Sequence, residues 1–237
     1  MLFDKIKSWL KRSDASAKSP SDAQVETPSA ARVEPSSETT DAQPTSAPKA
    51  DPASLDHVRE WIDIQARSGF ADLDTIFEDL QEIVEDEGLN YHSGWRTEMK
   101  GALAKQKTRE AGFPKVTPND RLTSAFTAMN AQGLIALEDA GYTQSDGWGD
   151  LGELYHESGK TAKGGVFYHR QDVEGVLFGV GLNIRFGGFG ENDSAVAIGR
   201  KAVEILRQHG FDPIWDENPD RTIELPPFEW QRRQTTR

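Results

Sequence analysis

Leu134-Ile-Ala-Leu137, Ala140-Gly-Tyr-Thr-Gln-Ser-Asp-Gly-Trp-Gly-Asp150, Leu151-Gly-Glu-Leu-Tyr-His156 and Gly165-Val-Phe-Tyr-His-Arg170 are the pieces of one stretch, residues 134–170, whose reading decides the fold. Its two short apolar runs, each bounded by glycine, read as buried strands. Between them lies a segment dense in Tyr, Thr, Gln, Ser, Asp, Trp and His. Polar side chains just beyond the end of a strand stand where open sheets bind their ligands, so this is the candidate functional region. The structural reading of the same residues is an elaborate loop over 141–150. Asp146-Gly147 would turn it, Tyr142 and Trp148 would pack as lids, and His169 would be a satisfied core histidine.

Working outward toward the C-terminus, strands and helices alternate. A helix starts at Asn119-Asp120, with Leu122, Phe126 and Met129 facing the core, and ends at Gln132-Gly133. Strands are expected at 134–137, 166–169 and 182–186, with helices at 150–157, 171–178 and 194–209. Two closing strands, 211–215 and 222–225, would form an antiparallel hairpin across Asp216-Glu-Asn-Pro-Asp220. The aromatics of Phe228-Glu-Trp-Gln-Arg-Arg233 would dock as an edge segment. Such alternation implies helices packed on a sheet, and the hairpin makes that sheet mixed.

Toward the N-terminus the period becomes helical. Val58, Trp61, Ile62 and Ile64 form one stripe, and Leu73, Ile76, Phe77, Leu80, Ile83 and Val84 a second. The outward face of the second is acidic, from Asp72 to Glu87, and lacks the spacing of a calcium loop. A third helix over 94–110 is basic and would pair with it. Phe113-Pro-Lys-Val-Thr-Pro118 breaks the run. The division is therefore a helical subdomain at 54–112 and a sheet subdomain at 113–233, together α+β. Residues 13–53 have no large apolar side chain between Leu10 and Leu55 except Val25 and Val33, the composition of a disordered linker. Residues 1–12 put Leu2, Phe3, Ile6, Trp9 and Leu10 on one helical face, with Lys5, Lys7, Lys11 and Arg12 around it. That is a short basic amphipathic helix, of a kind that makes weak peripheral membrane contact.

The chain carries a net charge of −12, and the residues after Pro52 hold 20 basic against 31 acidic side chains. An acidic domain repels nucleic acid and favours a basic protein partner. The absence of cysteine excludes disulfides, thiolate catalysis and thiolate metal sites, and it suits a cytoplasmic protein. No apolar run approaches the roughly 18 residues of a transmembrane helix.

Three chemistries are conceivable for these residues. Gly187-Gly-Phe-Gly190 lies where a phosphate cradle belongs, but no Gly-Lys-Ser/Thr follows and Asp193 stands where a third glycine should. It reads as a tight turn, and no cofactor is expected. His156 and His169, 13 residues apart among several carboxylates, match no fixed-spacing metal motif, which leaves the metal question open. A hydrolase-like site would use His169, His156 and Asp146 as catalytic groups. A binding pocket at 142–150 would use Tyr142, Thr143, Gln144, Ser145, Trp148 and Asp150, together with Gln171 and Asp172.

Several motifs resemble, in order, a bacterial family of uncharacterised proteins, a domain-of-unknown-function group. They are Asp120-Arg-Leu122, Ala136-Leu-Glu-Asp-Ala-Gly-Tyr-Thr-Gln-Ser-Asp-Gly147, Phe167-Tyr-His-Arg-Gln-Asp-Val-Glu174, Ala195-Val-Ala-Ile-Gly199 and Phe228-Glu-Trp-Gln-Arg-Arg233. The resemblance covers about residues 55–233. It implies a bacterial protein with one domain whose N-terminal part is helical, and it carries over no activity. The expected function is a non-catalytic acidic binding or regulatory protein of the cytoplasm. The alternatives are the hydrolase, with or without a metal, and an adaptor held at the inner face of the membrane by residues 1–12.

Overall fold

A computed structural model describes residues 51–190 and 194–234. The expectations for residues 1–12 and most of the linker lie outside the described residues. Among the described residues seven helices and four strands follow one another as α1 (Pro52–Ser68), α2 (Ile76–Asp86), α3 (Ser93–Glu110), α4 (Pro118–Ala131), β1 (Ile135–Leu137), α5 (Gln144–Glu157), β2 (Gly164–Phe167), α6 (Arg170–Leu177), β3 (Leu182–Gly188), α7 (Ala195–Gln208) and β4 (Ile223–Leu225). The fold is α+β.

The first three helices form because their apolar residues recur at helical spacing and their ends are capped. Asp51 caps α1 by accepting from the Ala53 N–H at 3.1 Å, and proline follows it in the first turn. Val58 and Ile62 from α1, Ile76, Leu80 and Val84 from α2, and Trp95 and Met99 from α3 bury into a core of their own. The basic helix α3 meets the acidic helix α2 through cation–π contact: Arg96 lies 4.4 Å and Lys100 5.7 Å from the Phe77 ring centre. The acidic side chains Glu78, Asp79, Glu82, Glu85 and Asp86 face solvent.

The sheet has the order β1-β2-β3-β4. β1 and β2 are parallel and the other two pairs antiparallel, so it is mixed. Every residue of β1 and β2 is buried, whereas β3 alternates. The cause is coverage on both faces of the first two strands. Ala136, Val166, Tyr168, Leu182, Ile184 and Phe186 face the main core with α4 and α7. Ile135, Leu137 and Phe167 face a second core under α5 with Leu151 and Leu154. The outer edge of β1 is closed by Asn130, whose side-chain amide donates to the Ala136 carbonyl (2.9 Å) and accepts from its N–H (2.8 Å). One side chain thus stands in for a neighbouring strand.

Three expectations need correction. Residues 141–150 are not a loop, because α5 begins at Gln144, six residues earlier than the expected helix at 150. Gly147 is not a turn residue. It lies in α5, where a Cβ would stand 2.3 Å from the Phe167 ring, and Gly165 leaves the same room for Leu151. These glycines let the helix sit close on the sheet. The expected strand at 211–215 is reduced to a single bridge between Ile214 and Glu224, since Pro213 has no N–H to extend a ladder.

The end of the chain straps the two groups of elements together. Phe228 is buried in the main core. Trp230 donates to the Ser68 carbonyl at 3.0 Å and contacts Phe70 and Tyr168 edge-on or tilted. Arg233 binds Asp120 (3.0 Å) and the Pro114 carbonyl (2.6 Å). The Gln234 N–H donates to Glu110 at 2.8 Å. Trp230→Ala is therefore expected to cost about 3 kcal/mol in a urea melt. Amide exchange should speed up in α1 and α2 more than in β2 and β3; equal acceleration throughout would contradict the strap.

Candidate functional site

β2 ends at Phe167, and His169 then becomes the N-cap of α6 with extended backbone (φ −112°, ψ 175°). Its Nδ1 accepts from the Asp172 N–H at 3.3 Å, while Asp172 Oδ2 accepts from the His169 N–H at 3.0 Å. This is a capping box in which an imidazole takes the usual place of a hydroxyl. Thr143 caps α5 in the same way. Its Oγ1 accepts from the Asp146 N–H at 3.4 Å, and Asp146 Oδ2 accepts from both the Thr143 N–H and its hydroxyl at 2.9 Å. A third box, Thr117 with Asp120, opens α4. Much of the polar density that marked the region in sequence is thus capping chemistry, which satisfies helix N–H groups that would otherwise be orphaned.

The caps of α5 and α6 lie side by side. The Arg170 N–H donates to the Gly141 carbonyl at 3.1 Å and the Gln171 N–H to the Tyr142 carbonyl at 3.3 Å. Asp146 is close enough to His169 for their charges to interact. Its carboxyl is held below the ordinary range, mainly by the hydrogen bonds from Thr143. From β3, Arg185 reaches into this corner, donating through Nη1 to Asp172 and through Nε to Gln144 at 3.0 Å. Asp172 is buried, so its charge is balanced by Arg185 and the His169 N–H.

His169 is 3% exposed. Burial is the main cause pushing its pKa down, with Arg185 adding to the effect and Asp172 opposing it. Burial favours the neutral ring, and the backbone bond to Nδ1 favours the tautomer with its proton on Nε2. Nδ1 also lies 3.0 Å from Asp172 Oδ2, the spacing that orients a catalytic imidazole, but Arg185 and the His169 N–H share that oxygen.

The structure therefore brings His169, Asp146 and Asp172 together with Tyr142, Thr143 and Gln144. His156 is not with them. It sits in the last turn of α5, ten residues or about 15 Å of helix from Asp146. Ser145 and Gln171 are exposed. Trp148 packs edge-on against Phe167, ring centres 5.1 Å apart, and over Gly187, where a Cβ would meet its ring at 2.8 Å. Residues 187–188 of the glycine run belong to β3, so Gly187 serves packing. Among the described residues no three His, Asp or Glu side chains gather as a metal ion would need.

Asp150 is half-buried on α5 beside the Gly141 backbone, with its pKa raised to about 6. Partial burial is the main cause, and repulsion from Glu153 and Asp146 adds to it. Tyr142 is 53% exposed, and its hydroxyl donates to Glu174 at 3.4 Å.

Sequence reasoning missed Arg185 and two further ion pairs. Arg170 binds Asp139 twice (2.8 and 2.5 Å) and Gln65 at 3.0 Å. Glu138 accepts from Tyr168 (3.0 Å) and Arg232 (3.1 Å). The signal for Arg185 was present: in Leu182-Asn-Ile-Arg-Phe186 the alternation places it on the face opposite the main core. The signal for the caps was Thr-x-x-Asp, written twice.

The family model described as Domain of unknown function (DUF6891) matches residues 51–234. The chain belongs to this family. No curated protein matches it, and no solved structure does. The family domain therefore spans α1 to the C-terminal strap, all of the described elements.

The raised pKa of Asp150 gives a pH test. Its ionised form is disfavoured in the fold, so the penalty is present above pH 6 and vanishes as pH falls toward the unfolded value near 3.8. Because the group is half exposed, screening reduces the effect to about 1 kcal/mol. Asp150→Asn should stabilise the domain by that amount at pH 7.5 and leave it unchanged near pH 4. A gain that persists at pH 4 would assign it to packing.

Proposed function

We propose that this family domain is a non-catalytic binding protein for a basic protein partner, which meets the outer face of α5 beside Tyr142. The observation that supports this reading is the set Asp146, Asp150 and Glu153, which share one side of α5. Among the described residues none of the three is ion-paired to a basic side chain. Burial raises the Asp150 pKa and repulsion from Glu153 and Asp146 adds to it, and a lysine or arginine brought in by a partner relieves that repulsion. Tyr142, exposed at the edge of this face, is the kind of amphipathic anchor that interfaces favour.

The hydrolase reading has less behind it. His169 is buried and its Nδ1 completes a cap, and His156 lies at the other end of α5. A general base must reach the proton it abstracts. The adaptor reading rests on residues 1–12. Among the described residues no helix is long and apolar enough to cross a membrane. The binding role fits a bacterial cytoplasmic protein.

A lysine-rich peptide is a suitable probe in an NMR titration of the full chain. Shifts are expected at amides 142–153, fading as salt is raised. Asp150→Asn with Glu153→Gln, which leaves the Thr143–Asp146 cap intact, should weaken binding on the order of five-fold. Shifts confined to another face, or affinity unmoved by the double replacement, would reject this surface.

A further inference from the structure

The turn that leaves α6 exposes two large apolar side chains, Phe178 (61% exposed) and Val180 (57%). They share a face. Phe178 follows Glu174 by one helical turn, and Val180 folds back over Gly175, its N–H donating to the Gly175 carbonyl at 2.9 Å. Its Cβ is 3.8 Å from where a Gly175 side-chain carbon would stand. α1 borders this patch. Arg67 donates to the Leu177 carbonyl at 3.1 Å and pairs with Asp63 at 2.8 Å, so its charge is neutralised. The exposed Glu60 of α1 lies near enough for its charge to act on Glu174. The patch is apolar in the middle, with Glu60 and Glu174 on its rim and Arg170 partly balancing Glu174.

Fifty residues of this chain precede Asp51. The first twelve combine five large apolar side chains with Lys5, Lys7, Lys11 and Arg12 against the single acid Asp4, a net +3. Residues 51–234 hold 19 basic and 32 acidic side chains, a net −13. The two parts of the chain are complementary in charge, and the apolar stripe of one matches the exposed pair on the other. Reach is no obstacle: the 38 residues from 13 to 50 span at most about 137 Å, against about 25 Å for the whole of α1. A tether also gives a local concentration on the order of millimolar, so even a weak contact forms in cis.

We infer that residues 1–12 dock on their own domain at Phe178 and Val180, with their basic side chains beside Glu60 and Glu174. This surface adjoins the α5 face, since Tyr142 donates to Glu174 at 3.4 Å, but its apolar pair Phe178 and Val180 lies outside that face. The contact holds the basic amphipathic segment on the domain and so sets when it is free for any other surface.

The chain has no cysteine, so Ser8→Cys gives one attachment point for a nitroxide on the full-length protein. At low ionic strength the label should strip most of the amide signal from residues 174–181. That loss should disappear with Phe178→Ser plus Val180→Ser, and again with Lys5→Glu plus Lys11→Glu. In a mixture of labelled, isotope-free chains with unlabelled, isotope-enriched ones it should be absent. Broadening that is missing, or that maps elsewhere, or that survives Phe178→Ser plus Val180→Ser overturns the inference. So does broadening in the mixture, which assigns the contact to a second copy. A label that is unconstrained until anionic vesicles are added assigns the segment to a membrane instead, which also overturns it. Peptide binding at 142–153 is read separately, through Asp150→Asn with Glu153→Gln, which leaves Phe178 and Val180 untouched.

Discussion

Asp172 is a buried carboxylate at the junction where β2 gives way to α6, and the arrangement of the sheet half depends on how its charge is met. The His169 N–H and the Arg185 guanidinium bind its Oδ2, and Arg185 continues to Gln144 at the start of α5. One acid thus joins the end of β2, the start of α6, the middle of β3 and the first turn of α5. Its partners cannot be removed singly at low cost, because a buried charge left without its counter-charge costs about 3–5 kcal/mol. The parallel pairing of β1 with β2, the antiparallel turn into β3 and the position of α5 all meet at this point. The candidate site occupies the same corner, so its polar groups are largely committed to holding the fold.

That commitment shapes the functional reading. The Thr143 and Asp146 side chains cap each other's helix turn, His169 accepts a backbone bond, and Asp172 is ion-paired. What faces outward from this corner is Tyr142, Asp146 and the uncharged Gln144, Ser145 and Gln171. The same economy holds at the strap, where Trp230, Arg233 and Gln234 donate to the Ser68, Pro114 and Ala71 carbonyls and Arg232 to the Glu138 carboxylate beyond β1. The binding surfaces proposed on α5 and at the exit of α6 are built from side chains that these networks leave exposed.

Much of the fold was legible in the sequence because its signals are local. The 3.6-residue stripes of α1 and α2, the apolar runs of β1 and β2, and the alternation in Leu182-Asn-Ile-Arg-Phe186 each follow from which faces are covered. The misreadings were also local. Asp146-Gly147 looks like a turn, yet Gly147 is there so that α5 can rest on Phe167, a contact between residues 20 positions apart. A polar cluster after a strand looks like a ligand site, yet Thr143-Gln-Ser-Asp146 is the start of a helix. Phe211-Asp-Pro-Ile-Trp215 carries strand formers, but Pro213 limits it to one bridge. The pairing of Arg185 with Asp172 could not be read, since it depends on the register of β3 against β2. The distance of His156 from Asp146 could have been, once α5 was extended back to Gln144.

The most direct test of this account is the tautomer and titration of His169, read from its ring 15N shifts in the intact protein. A capping role requires a bare Nδ1, a proton on Nε2, and a ring that titrates below the ordinary histidine value. A proton on Nδ1 facing Asp172, with a bare Nε2 titrating at or above that value, is the state of an oriented general base. That result would contradict the assignment of this corner to structure and return the hydrolase reading to first place.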